Sequence, residues 1–391
     1  MEGTGRRSDG SAVVIGAGIG GLCTVIALLR AGIDARVFER RPSLEEAQFG
    51  TGLSVWSNAV KALRKLGLSD EIETAGPHME QFDQRSWKGE LLASWPIGDM
   101  GRRFGAPTVN LTRERLHRML NDALEQGVVT YDATCTGFTQ DAGGVTASFE
   151  SGPDAQGDVL IGADGIKSIV RATMFGSSPP RYAGYTAWRG LVPFQHERVP
   201  PQVFQQIWGR GSRFAFYHVD DDRLYWIAVR NARMREPEAP AGGKADLLAH
   251  FRGWMEPVEA IIAATDEAAI QRMDIEDRDP DDRWGDGRVT LVGDAIHPMT
   301  FNVGQGACQA IEDSVVLARA LESDGDAVAA LRAYEVERKE RTAGMMRLAR
   351  RIGRTAQWEH PLACALRDQI WKRFLGRVGV KGQAKFMGHD V

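Results

Sequence analysis

Gly293-Asp294 and Gly304-Gln305-Gly306-Ala307 lie within one stretch, Arg288 to Ser314, with a proline-containing loop between them. The first pair leaves a carboxylate at the end of an apolar run. The second is a glycine-rich helix start, which presents unpaired backbone N–H groups and the positive end of a helix dipole. Side by side they make a seat for something anionic or electron-rich. Two elements must hold that seat. Val289 to Val292 reads as a short buried strand. Ala307, Ala310, Ile311, Val315, Ala318 and Leu321 recur at helical spacing, so a helix follows.

A second constellation stands near the start. Gly16-x-Gly18-x-x-Gly21 joins an apolar strand, Ala12 to Ile15, to a helix reaching about Ala31. A further strand, Ala35 to Phe38, ends at Glu39, which lies 21 positions past Gly18. The fingerprint alone is weak, but between a strand and a helix, with an acid at that distance, it is the arrangement of a dinucleotide site. The glycines admit a pyrophosphate, and Glu39 can accept hydrogen bonds from ribose hydroxyls. A third constellation is Gly162-Ala163-Asp164-Gly165, where a buried strand (Val159 to Ile161) breaks and a helix begins near Ser168. Alone, Asp-Gly is only a turn.

The intervening chain supplies the remaining elements. Gly50 opens a loop and then an amphipathic helix through Ala59, Leu63 and Leu66, and residues 80 to 97 read as short strands. Leu111 to Leu124 reads as a helix capped by Thr112, with Arg113 in its first turn, either a solvated charge or a pyrophosphate partner. Residues 181 to 232 hold four of the six tyrosines and many other aromatics, interleaved with Arg189, Arg213 and Arg230, and read as a sheet. Glu236 to Lys244 reads as a loop, Ala245 to Ala264 as a helix, Asp274 to Asp286 as a solvated acidic linker, and Leu331 to about Val378 as a charged helical tail.

Composition narrows the class. The 391 residues suffice for two cores, and 43% hydrophobic with 26% charged is ordinary for a soluble protein. A net charge of -4 argues against nucleic acid as a partner. The four cysteines are scattered, without metal-ligand spacing, so no metal is expected and a cytoplasmic location fits. Arg6-Arg7 before an apolar run is like an export signal, but the glycines break the run, and no stretch suits a membrane span.

Taken together, the three constellations resemble the FAD-dependent single-component aromatic hydroxylases with the p-hydroxybenzoate hydroxylase fold, over roughly residues 11 to 345. The stretches TGLSVWSNAVKALRKLGL, GYTAWRGLVP and RLYWIAV further resemble the branch with urate hydroxylase, salicylate hydroxylase and zeaxanthin epoxidase. The implied fold class is α/β, a Rossmann-like FAD-binding domain interleaved with an α+β, sheet-based substrate domain, with a helical C-terminus. The implied boundaries are discontinuous: 1–75, 100–180 and 280–345 for FAD, 76–99 and 181–279 for the substrate sheet, and 346–391 for the helical end.

The resemblance also implies roles. Gly16, Gly18, Gly20, Glu39 and the adjacent Arg40 would hold the ADP half of FAD, with Ser54, Arg113 and the backbone at Cys135 on the same cofactor. Asp294 would bind a ribityl hydroxyl, and Gly304, Gln305, Gly306, Ala307 and Cys308 would face the flavin pyrimidine ring, which the helix dipole stabilises when it turns anionic. Asp164 is linked to both FAD and NADH or NADPH. The implied reaction reduces FAD with NAD(P)H, captures dioxygen as a flavin C4a-hydroperoxide and hydroxylates a small aromatic substrate. Arg213 and Tyr225 would position that substrate, though both could equally be ordinary strand residues, and Arg189, Phe301 and Trp226 would line its pocket. Phe301 stands where the family usually has proline, which puts the substrate's identity in question. A monomer or homodimer is expected. The alternatives are another FAD oxidoreductase of this fold, an epoxidase or prenyl reductase, or a flavin binder without turnover.

Overall fold

Runs that are apolar on both faces become the inner strands of parallel sheets, whereas alternating runs cover one face only; the chain uses both. The computed structural model describes residues 10–44, 51–236, 243–323 and 325–391. The N-terminal stretch with Arg6-Arg7, Gly50 and most of the loop before Lys244 fall outside the described residues. The chain opens with β1 (Ser11–Ile15), α1 (Ile19–Arg30), β2 (Asp34–Phe38), β3 (Gly52–Val55), α2 (Ser57–Lys65) and α3 (Ser69–Glu73). Then come β4 (Gln81–Ser86), β5 (Leu91–Trp95), α4 (Ile97–Phe104), β6 (Val109–Thr112) and α5 (Arg113–Asp122). Short strands follow, β7 (Val129–Thr130), β8 (Cys135–Gln140), β9 (Val145–Phe149), β10 (Ala155–Gly157) and β11 (Val159–Gly162), before α6 (Ile169–Phe175). The long strands are β12 (Arg181–Pro193), β13 (Val203–Trp208), β14 (Ser212–His218) and β15 (Arg223–Asn231), leading to α7 (Gly243–His250) and α8 (Val258–Ala264). Last are β16 (Gln271–Asp277), β17 (Gly285–Asp286), β18 (Val289–Leu291), α9 (Gly306–Ser323), α10 (Ala327–Ala356), α11 (Pro361–Ile370) and α12 (Gly376–Met387).

Among the described residues one sheet runs in the order β17-β18-β11-β1-β2-β7. Its pairs from β18 to β7 are parallel, with Ile15 beside Gly162 and Gly162 beside Leu291. β18, β11 and β1 are therefore neighbours that end together. The turns after them, Gly293-Asp294, Ala163-Asp164 and Gly16-Ala17, emerge at one carboxyl edge, where open α/β sheets bind ligands.

A second sheet has the order β16-β12-β15-β14-β13-β4-β5. Strand alternation splits its side chains between two faces. Trp188, Phe214, Phe216, Leu224 and Trp226 pack on Leu247 of α7, on Phe251 just past its end, and on Ile261 and Ile262 of α8. Each such buried side chain contributes on the order of 1.5–3 kcal/mol by area. The other face carries Tyr185, Arg189, Arg213, Tyr217 and Tyr225 and turns toward the two-stranded antiparallel sheet β3–β6, where a Cβ on Gly52 would collide with the Tyr225 ring.

Three expectations change. Asp274 to Asp286 is not a solvated linker throughout: its first residues complete β16 on β12, and buried Asp277 pairs with Arg181 at 2.7 Å and Arg350 at 3.1 Å. Ala245 to Ala264 is two helices, interrupted near Gly253, whose φ is +77°. Leu111 belongs to β6, and α5 starts at Arg113, with the Thr112 hydroxyl accepting from the Arg115 N–H at 3.1 Å.

Candidate active site

The first glycine turn is built around close approaches. Gly16 has φ +100°, and a Cβ there would lie 2.7 Å from the Ala163 carbonyl oxygen and 2.9 Å from Asp164 Cα. A Cβ on Gly21 would collide with the Gly16 carbonyl oxygen, while one on Gly18 would meet nothing within 4 Å. Gly18 also N-caps α1 without a side-chain hydrogen bond, so the first N–H groups of that helix face an open approach. A Cβ on Gly20 would lie 3.2 Å from Ala310 Cβ of α9. The buried Glu39 carboxylate accepts the Ala17 N–H at 2.9 Å and the Arg41 N–H at 3.1 Å.

Two residues here escaped the sequence reading. His117 of α5 contacts the Ala17 carbonyl oxygen through Nε2 at 2.5 Å, bracing the turn from beneath. Arg41, not the exposed Arg40, carries the charge that acts on Arg113 and His117. An arginine pair after an acidic strand end gives no sign of which member turns inward.

Asp294 and Arg113 face one recess: protein surrounds both side chains densely, yet both are solvent-accessible. Burial pushes the Asp294 carboxyl up, and His297 and Arg113 pull it down. Burial pushes the Arg113 guanidinium down, Asp294 raises it, and Arg189 and Arg41 lower it further. Arg113 thus stands between the Asp294 carboxylate and the charges of Arg189 and Arg41. A Cβ on Gly306 would lie 4.0 Å from Asp294 Oδ1, so the carboxylate stands at the start of α9. Gly304 has φ +63° and sits on Trp56, whose Nε1 would be 2.8 Å from an added Cβ. Gln305 is buried and accepts from Asn58 at 3.1 Å. The Cys308 thiol approaches the Ser54 carbonyl oxygen at 3.8 Å and is pushed up to about 12 by burial, so it packs rather than reacts. The Ser54 hydroxyl donates to Asn110 at 2.7 Å. Cys135, at the first position of β8, is pushed up to about 11 by burial. Asp164 Oδ2 accepts the Ile169 and Val170 N–H groups at 2.7 and 3.2 Å, and its buried Oδ1 has no partner among the described residues.

Beneath α9 lies a buried charge network that the sequence reading also passed over. Asp313 accepts the Gly293 N–H at 3.0 Å, contacts His297 Nε2 at 2.6 Å and pairs with Arg338 at 2.7 Å. Glu312 pairs with Arg338 at 2.7 Å and Arg341 at 2.6 Å and accepts from Asn58 at 2.6 Å. The network fastens the Gly293-Asp294 turn to α9. Its signal was Glu312-Asp313, two acids inside an otherwise apolar-patterned helix.

On the recess-facing side of the second sheet, Arg213 is buried, and none of its guanidinium nitrogens has a hydrogen-bond partner among the described residues. Its guanidinium carbon lies 5.4 Å from the Tyr185 ring centroid and 5.0 Å from that of Phe301. Burial lowers its proton affinity, and the nearby Tyr185 oxygen restores part of it without reaching hydrogen-bond geometry. Tyr225 is buried and pushed up to about 12 by burial, with Arg189 pulling it back. Trp226 is not brought to this face. It is wholly buried, its indole N–H donates to Thr265 at 2.9 Å, and it stacks on Phe214 at 5.5 Å. Adjacent strand residues point oppositely, so Tyr225 and Trp226 cannot both line the recess.

A family profile described as "FAD binding domain" matches residues 9–349. The chain is 38% identical to an aurachin C monooxygenase/isomerase of Stigmatella aurantiaca, covering 92% of this chain and 93% of that one. It is 36% identical to an FAD-dependent urate hydroxylase of Klebsiella pneumoniae, covering 87% and 88%. The crystal structure of Klebsiella pneumoniae HpxO complexed with FAD and uric acid superposes with a TM-score of 0.90 at 33% identity, over 96% of each chain. A profile over most of the chain, relatives at such identity along nearly its whole length, and three motifs converging at one sheet edge have one reading: the chain belongs to the FAD binding domain family of flavin-dependent aromatic hydroxylases.

Proposed function

We propose that the protein is an FAD-dependent monooxygenase that uses NADH or NADPH and dioxygen to hydroxylate a planar aromatic or heteroaromatic molecule bearing an oxyanion or a strongly polarised acceptor. Arg213 carries the substrate half of this reading. A buried guanidinium without a partner costs several kcal/mol, which a ligand's negative edge would offset. An uncharged alkene offers that group nothing, which favours hydroxylation over epoxidation or prenyl reduction.

The residues present fit FAD. Gly18 leaves its backbone open, Arg113 and Arg41 supply charge for a pyrophosphate, and Asp164, whose Oδ1 has no partner among the described residues, adjoins the Gly16 turn through its backbone. When bound, FAD supplies the hydride acceptor and the activation of dioxygen. Gly16, Gly18, Glu39, Arg113 and Arg41 would hold its ADP half, with Ser54 and the Cys135 backbone alongside. Asp294 would accept from the ribityl chain. The N–H groups at Gly306, Ala307 and Cys308 would meet the pyrimidine edge with the positive end of α9. Arg213 would grip the substrate's negative edge, Tyr225 beside Arg189 would pass a proton, and Phe301 would exclude water. The first sheet with its helices forms the FAD-binding part, and the second sheet the substrate part.

The four cysteines are free and buried, which fits a cytoplasmic protein. Among the described residues no helix is long and apolar enough to cross a membrane. The test is a visible spectrum of the purified protein, followed by NAD(P)H consumption across an aromatic panel. A flavin spectrum with one compound accelerating consumption supports the reading. A colourless protein that also fails to take up added FAD overturns it.

A further inference from the structure

Among the described residues the Arg213 guanidinium has no hydrogen-bond partner, and two rings flank it. One of those rings is anchored. Asn302 lies in the turn Phe301–Val303, between Asp294 and α9. Its Nδ2 donates to the Tyr185 hydroxyl at 2.9 Å, and it also lies 2.7 Å from the Thr300 hydroxyl and 2.9 Å from the Ala349 carbonyl oxygen of α10. An amide nitrogen has two hydrogens for these three acceptors, and the buried Asn302 Oδ1 has no partner among the described residues. β12, the turn before α9, and α10 thus meet at one side chain. The meeting point is tight: a Cβ on Gly353 would collide with Asn302 Nδ2 and stand 2.7 Å from the Tyr185 hydroxyl. Phe301, the other ring on Arg213, is the neighbour of Asn302 in the same turn.

We infer that Asn302 and Tyr185 form a joint that sets where Arg213 stands relative to the turn carrying Phe301. They are positioning residues for substrate, acting through Arg213, and the functional consequence rests on the monooxygenase reading above. Sheet and turn belong to different parts of the fold, and this bond is a polar tie between them at the substrate end of the recess. A substrate gripped by Arg213 is thereby held at a fixed depth from the groups at the start of α9.

The joint is tested on the FAD-loaded protein by the side-chain Nε–H nuclear magnetic resonance signal of Arg213, identified by its loss in Arg213→Lys. The signal is perturbed by both neighbouring rings, so Phe301→Leu serves as the positive control. Tyr185→Phe keeps the ring but loses the anchor, and Asn302→Ala loses the anchor from the other side. Each should shift the Arg213 signal, and the double variant should shift it no further than the larger single change. With a compound that accelerates NAD(P)H consumption, each should also raise KM about tenfold, the loss of one net hydrogen bond, while FAD content holds. Tyr185→Phe and Asn302→Ala signals identical to the parent, or shifts that add in the double variant, would overturn the joint. The resonance test needs no substrate, so an enzyme silent on every compound would defeat the monooxygenase reading while leaving the joint decided.

Discussion

Gly16 and Ala163 are in contact: a Cβ on the glycine would stand 2.7 Å from the alanine's carbonyl oxygen. Two motifs almost a hundred and fifty positions apart are thereby one surface, because β1 and β11 pair in parallel and end together. The third motif joins them through β18.

Gly16→Ala and Gly18→Ala should therefore behave differently. The first adds a methyl at φ +100° against backbone atoms and should lower the melting temperature and abolish FAD retention. The second enters open space at an ordinary φ of -72°. It should fold normally and still bind FAD more weakly, because the methyl fills the approach to α1. Equal FAD affinity in Gly18→Ala and the parent, by titration of the apoprotein, would remove that turn from the cofactor site.

Arg213→Met removes a buried charge that has no hydrogen-bond partner among the described residues. The variant should be more stable by about 1–4 kcal/mol in denaturant titration. Its substrate KM should rise well over tenfold with FAD content unchanged. A variant that is both less stable and kinetically normal would make Arg213 a structural residue.

Trp226→Phe tests which face of β15 looks into the recess. The indole packs in the core with α7 and α8, so the change should cost about 1–2 kcal/mol through a lost hydrogen bond and a small cavity. KM should stay put, whereas Tyr225→Phe, on the other face, should change turnover. The reverse pattern would mean the face assignment is inverted.

Burial pushes the Asp313 carboxyl up, but His297, Arg338 and the Gly293 N–H outweigh it and bring the value from 3.8 to about 2. A carboxylate depressed in the folded state contributes stability that is complete above its unfolded pKa and is lost as pH falls through the folded one. That contribution is about 2 kcal/mol and disappears between about pH 4 and pH 2. Asp313→Asn should flatten the stability profile in that window. At neutral pH it should cost about 3–5 kcal/mol by leaving the buried Arg338 with one carboxylate fewer. An unchanged acid limb would show that other groups drive acid unfolding.

The parts that could be read beforehand share a local cause. Glycine turns, apolar strand runs and the α9 periodicity are written in neighbouring residues, and they located the carboxyl edge where the motifs meet. What escaped needed partners from afar. Asp277 read as solvated because Arg181 and Arg350, which neutralise it, are 96 and 73 positions away. His117 gave no sign that it would brace Ala17, 100 positions earlier. Trp226 is a different failure: strict alternation with Tyr225 was visible in the chain and excluded placing both in one pocket. The break between α7 and α8 was visible too, in Gly253 and Pro257.

The most direct test of the account is a single turnover series under dioxygen labelled with heavy oxygen, using the compound that most accelerates NAD(P)H consumption by the flavin-loaded protein. The account predicts a product carrying one labelled oxygen atom, and loss of that product in Arg213→Met despite full FAD content. A product without labelled oxygen, or NAD(P)H consumption that no compound affects, would contradict it.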